Sequence, residues 1–178
     1  MMNVFTYIKG ADPTIRRQID EWDAKAKEYL VSLYEGDIER AKGTKFGDCI
    51  SKIESLLDMI ITDSENFRGV TDTDNRLQAG AIIENRSDYL YIDIFTNSPW
   101  NVVKNQPETK AGAATSLVEG IVRESIELGQ NGIIKANILR RAIPFYEKIG
   151  FVEENGSGEF MLTETASRNF LITQASRQ

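Results

Sequence analysis

Residues 107–129 read "PETKAGAATSLVEGIVRESIELG". The stretch reads as a long helix whose mouth carries two small residues, Gly112 and Ala114. The first turn of a helix presents unpaired backbone N–H groups and the positive end of its dipole, so a turn without bulky side chains lets phosphate oxygens reach those donors directly. Small residues also let a helix pack closely on a sheet, and both readings fit the Gly-x-Ala spacing alone. The run is neither a GxxxxGK[ST] loop nor the G-x-G-x-x-G of a dinucleotide fold.

Its neighbours decide the fold class. "YLYIDIFTN" (89–97) precedes it and "GIIKANI" (132–138) follows it, so strand, helix and strand form one βαβ unit. Upstream, "FRGVTD" and "LQAGAIIEN" are strand-like and are separated from each other and from "YLYIDIFTN" by the turn residues "DTDN" and "NRSD", which implies an antiparallel meander. Nearer the start, "NVFTYIKG" favours a short strand. After it come Asp12 as N-cap and Pro13 at the first helical position, and then Ile15, Ile19, Trp22, Ala26, Tyr29, Leu30 and Leu33 at helical spacing as far as Gly36. A second amphipathic helix begins near Asp48, with Ile50, Ile53, Leu57 and Ile60 in one stripe. Past the βαβ unit, "RRAIPFYEKIG" reads as a short helix, and "FVEEN" and "GEFMLT" as a last strand pair hinged on "GSG". The expectation is a mixed α/β fold, its sheet antiparallel in the first half and parallel around the central helix, flanked by helices.

The chain has 178 residues, of which 41% are apolar, and suits one domain over 1–178. A formal charge of −6 gives no broad attraction for nucleic acid or anionic membranes. No stretch is apolar enough to span a bilayer, and "MMNVFTYIKGADP" lacks the regions of a signal peptide, so the expected location is cytoplasmic. A single cysteine and no histidine exclude an internal disulfide, the usual zinc ligand sets and a histidine base. Cys49 has no evident partner base and reads as a small buried hydrophobe.

"TKAGAATSL", followed by a helix, a strand and "AIPFYEKIGF", resembles the GNAT superfamily of acyl-CoA-dependent N-acyltransferases. In that family the motif [Arg/Gln]-x-x-Gly-x-[Gly/Ala] opens the central helix and binds the coenzyme A pyrophosphate. The match falls on Gly112 and Ala114; the first motif position is Thr109, with Lys110 beside it. "FYEKIGF" (145–151) places Tyr146 where the family's tyrosine stands close to the thioester sulfur, while the asparagine often found three residues before the alanine of "AIPFY" is replaced by Leu139. One branch of the family also has "APWN" after strand four, here "SPWN" at 98–101. The resemblance covers Val4 to Thr163 in organisation and 89–163 in motif. It implies acetyl-CoA as cofactor, held through Lys110, Ala111, Gly112, Ala113, Ala114 and Thr115, and through free main-chain groups near Ile94 and Phe95 where strand four parts from strand five. Trp100 and Asn101 would flank that route, covering the pantetheine or capping the strand.

The implied reaction is N-acetyl transfer to a primary amine, which needs a neutral amine, oxyanion stabilisation and protonation of a thiolate. Tyr146 is the candidate acid. Asp93, an acidic residue within an apolar strand, is the candidate base, with burial expected to raise its pKa or demand a partner; Glu84 is the reserve. The acceptor would be a small-molecule or peptide amine, reached along a wall made by the two N-terminal helices, and long-range attraction to an acidic protein leans towards a cationic one. A homodimer is left open. The alternatives are a non-catalytic acyl-CoA-binding or regulatory module of the same fold, and a toxin-like component whose partner fills the helical wall.

Overall fold

A computed structural model describes residues 2–177. In chain order the elements are Thr6–Lys9 (β1), Pro13–Tyr34 (α1), Ile38–Ala41 (α2), Lys45–Thr62 (α3), Phe67–Thr71 (β2), Leu77–Asn85 (β3), Leu90–Asn97 (β4), Ala113–Glu127 (α4), Ile134–Asn137 (β5), Ile143–Ile149 (α5), Val152–Glu153 (β6), Glu159–Leu162 (β7) and Glu164–Ser176 (α6). The sheet order is β1-β2-β3-β4-β5-β7-β6. The β4/β5 pair, joined through α4, is parallel and the other neighbouring pairs are antiparallel. The fold is therefore mixed α/β with the parallel pair around the central helix, as the sequence implies.

Helix α1 starts where its cap chemistry places it, with the Asp12 carboxylate accepting from the Ile15 amide at 2.9 Å. It buries Ile15, Ile19, Trp22, Ala26 and Tyr29. Helix α3 starts at Lys45 rather than near Asp48, because the Thr44 hydroxyl accepts from the Gly47 amide at 3.0 Å and caps an earlier turn. Helices α1 and α3 cover one face of the sheet, packing Ile19, Trp22, Ile53 and Leu56 on Phe67 and Ile82. Helices α4, α5 and α6 lie on the other face with Leu117, Ile121, Tyr146 and Phe170 against Val70, Ala81 and Ile92. Among the described residues, no helix is long and apolar enough to cross a membrane.

Two contacts fix α4 on the sheet. Gly120 lies against the Tyr7 ring, where an added Cβ would come within 2.1 Å of a ring carbon, so the helix approaches β1 only because this residue has no side chain. One turn on, the Glu124 carboxylate takes a bidentate grip from Arg68 of β2, at 2.7 and 2.9 Å, and a hydrogen bond from the Tyr7 hydroxyl at 2.6 Å.

Candidate active site

Strands β4 and β5 pair at Leu90↔Ile134, Tyr91↔Lys135 and Ile92↔Ala136, and there the pairing stops. Strand β4 runs on to Asn97 with its β5-facing edge open. On its other edge the register with β3 slips between Ile82↔Ile94 and Ile83↔Ile92, which leaves Asp93 as the extra residue of a β-bulge. The slip reverses which amides face the gap. Below it, the Leu90 amide donates to Ile133 on the β5 side at 3.2 Å; above it, the Ser98 amide donates to Gln78 of β3 at 3.1 Å. By strand alternation the Phe95 and Asn97 amides then face the open edge, and the Ile94 amide faces β3. Of the two main-chain positions singled out in the sequence, Phe95 offers the free donor, and Ile94 contributes its side chain.

A cleft of about 450 Å³ runs through this split, lined by Ile92 to Phe95 of β4, Ala136 and Asn137 of β5, Ala142 and Tyr146 at α5, and a polar stripe of α3. Asp93 is exposed in it rather than buried, because the bulge turns it out of the apolar layer, and its carboxylate takes no hydrogen bond from any described residue. Its pKa is nonetheless raised, first by partial removal from water and then by the carboxylate of Glu84. Glu84 itself is paired with Arg86 at 2.9 Å and stands outside the cleft lining.

Tyr146 is buried against the rings of Phe95, Phe145 and Phe151, with centroids at 5.9, 5.1 and 5.1 Å. It lines the cleft, and its hydroxyl has no hydrogen-bond partner among the described residues. Burial pushes its pKa well above that of an ordinary phenol, so it stays protonated at neutral pH. Arg141, just before α5, reaches across the cleft and grips Asp48 of α3 with two hydrogen bonds of 2.8 Å.

The second group of candidates forms the start of α4. Gly112 is its N-cap at φ 94°, in the left-handed region, and no side chain caps the helix. The Ser116 amide is the first to turn back, donating to Gly112 at 2.9 Å, so the amides of Ala111, Gly112, Ala113, Ala114 and Thr115 find no acceptor among the described residues. Lys110 departs from this cluster. Its side chain lines a separate depression with Asp72 and Arg76, while its amide donates to Asn101 at 2.8 Å.

Trp100 and Asn101 neither cover the cleft nor merely end the strand. The Trp100 indole N–H and the Asn101 amide both donate to the Gln78 side chain, each at 2.9 Å, and Gln78 donates to Asp72 at 2.9 Å. The Thr109 hydroxyl donates to the Trp100 carbonyl at 2.6 Å. This network pins the 98–110 loop and hence the bare helix start; it was missed in the sequence because Gln78 reads as one polar residue of a strand. Cys49 is buried, and desolvation lifts its pKa to about 11, so the thiol stays inert in the core.

No family model matches the sequence, and no curated protein matches it. Solved structures do share the architecture. A GNAT-family acetyltransferase from Listeria monocytogenes 4b F2365 is 13% identical over 88% of this chain and 92% of its own, with a TM-score of 0.53. The ribosomal-protein-S18-alanine N-acetyltransferase of Escherichia coli is 15% identical over 89% of this chain and 91% of its own, with a TM-score of 0.50. At such identities the likeness establishes the fold, which is that of the GNAT acetyltransferases.

Proposed function

We propose that the chain, with its GNAT fold, is an acyl-CoA-dependent N-acetyltransferase that moves an acetyl group from acetyl-CoA directly to a primary amine. The parting of β4 from β5 beyond Ile92 carries this reading, because it opens a backbone donor into a cleft that also holds a carboxylate and a phenol without partners among the described residues. Bound acetyl-CoA supplies the activated thioester. The free amides from Ala111 to Thr115 suit its pyrophosphate, where the helix dipole adds to direct N–H bonds. The Phe95 amide, on the open edge, suits a carbonyl oxygen in the gap.

Asp93 takes the ammonium proton of the acceptor, directly or through water. Its raised pKa makes it a better base than an ordinary aspartate, narrowing the gap to an amine of pKa about 10. Tyr146 faces the departing sulfur. With a pKa above that of a thiol, about 8.5, it acts by donating a hydrogen bond to the thiolate, and full proton transfer is uphill.

The test is amine-dependent release of thiol from acetyl-CoA, with amine-free hydrolysis subtracted. Tyr146→Phe should preserve coenzyme affinity and lower kcat on the order of 10²-fold, since the ring packing survives and only the hydroxyl is lost. A near-normal kcat returns Tyr146 to the core. Tight coenzyme binding without turnover on any amine replaces the transferase with an acyl-CoA-binding module, a reading favoured by the commitment of the Thr109 hydroxyl to Trp100.

A further inference from the structure

The α3 wall of the cleft is made of Asp48, Ser51, Lys52 and Ser55, spaced so that they share one helical face. The sheet-facing side of the same helix is Cys49, Ile53, Leu56 and Ile60. Asp48 is neutralised by the two-pronged grip of Arg141. Lys52 is different: half-buried in the cleft lining, it has neither an ion pair nor a hydrogen bond among the described residues. Burial lowers its pKa, and the field of Asp48 only partly offsets that. An ammonium partly removed from water, with no ion pair among the described residues, gains from an anion that enters the cleft.

Across the gap stands Asp93, also without a partner among the described residues, and Asp63 and Glu84 add negative potential around it while Arg86 is tied to Glu84. The two lone charges are offset along the cleft. Cys49 contacts the Asn97 carbonyl at 3.6 Å, whereas Asp63, past the other end of α3, acts on Asp93, so α3 runs antiparallel to β4. Lys52, about one turn from Cys49, therefore sits nearer the Asn97 end. Neither of the two lone charges is among the groups that shift the other's pKa.

We infer that the acceptor is a zwitterion, an amine that also carries a carboxylate, with its ammonium on Asp93 and its carboxylate on Lys52 between the hydroxyls of Ser51 and Ser55. The inference rests on the transferase reading for the direction of the amine, and it replaces the leaning towards a cationic acceptor that net charge alone suggests. The −6 of the whole chain acts over distances at which cellular salt screens it, within about 8 Å, whereas Lys52 acts in contact.

Binding separates this inference from turnover. Calorimetry with L-alanine, β-alanine and 4-aminobutyrate, with and without coenzyme A, is compared with their amides and with 1,4-diaminobutane. The carboxylate-bearing compounds should bind at least tenfold more tightly than their amides. Lys52→Met should bring that ratio close to one with coenzyme affinity unchanged, and Lys52→Arg should keep most of it. A thermal melt of each variant confirms that it is folded. Selective binding without thiol release would sink the transferase reading and leave the zwitterion site standing. Amides or the diamine bound as well as the amino acids, no binding of any carboxylate-bearing amine, or a preference that persists in Lys52→Met would each overturn it.

Discussion

Asp93 owes its place to one extra residue. The slip between Ile82↔Ile94 and Ile83↔Ile92 puts two successive side chains, Asp93 and Ile94, in the cleft on the α3 side of the sheet, so an acidic residue of an apolar strand escapes burial. The strand's own pattern marks Asp93 as odd but places it inside, since a bulge exists only in relation to the partner strand. Lys52 was hidden for the opposite reason: a polar stripe at helical spacing looks like a solvated face until another element stands opposite it. The raised pKa of Asp93 gives the base reading a sign. Asp93 must be ionised to accept a proton, so kcat/KM should fall as pH drops through a midpoint above the ordinary aspartate value of about 4. Asp93→Asn should lose most rate between that midpoint and the amine's pKa of about 10, where the wild-type carboxylate is ionised and the amine is still protonated, and recover part of it as pH rises and free amine becomes abundant. The measurement is the pH profile of kcat/KM for both forms on one amine, and parallel profiles would remove Asp93 from the mechanism. Because ionisation of Asp93 is disfavoured in the folded protein, the same variant should be slightly more stable at neutral pH.

Helix α4 is the element on which ligand binding turns. Its bare start depends on Gly112 at φ 94°, a backbone state that strains any other residue, so a bulky side chain there would confound blocked binding with a distorted turn. Ala114 has ordinary helical geometry and is only partly buried. Ala114→Glu places a carboxylate among the free amides, where it competes with phosphate yet suits the helix dipole. It should weaken coenzyme A binding more than tenfold, about 1.4 kcal/mol, while the melting temperature holds or rises. Unchanged affinity by calorimetry in a folded variant would move the phosphates away from this turn. This helix was legible because its two small residues precede an apolar run, as was α1 through Asp12 and Pro13. Helix α6 was not: it buries only Ser167 and Phe170, and so shows no apolar stripe by which a sequence could announce it.

At the scale of the molecule, two apolar layers on opposite faces of one sheet must be held in register for the cleft between β4 and β5 to keep its shape. The polar lock of Tyr7, Arg68 and Glu124 lies on the α4 side and joins three elements distant in sequence, β1, β2 and α4. Burial alone would push the Glu124 pKa up, but the hydrogen bonds from Arg68 and Tyr7 outweigh it and leave it below the ordinary glutamate value. A carboxylate whose pKa is depressed on folding contributes stability that is present above its unfolded pKa, about 4.3, and is lost as pH falls through the folded one. Glu124→Gln should therefore cost about 3 kcal/mol at pH 7, because it leaves the Arg68 charge largely buried beside a neutral group. The deficit should shrink as pH falls below the unfolded glutamate value of about 4.3 towards the depressed folded one, where wild-type Glu124 is itself protonated. Tyr7→Phe, which removes one hydrogen bond and no charge, should cost about 1 kcal/mol, with a much weaker dependence on pH. Urea midpoints of the three proteins from pH 7 down to 3 decide the matter: if the wild-type and Glu124→Gln curves stay parallel to the acid end, the ion pair is not what binds the central helix to the first two strands.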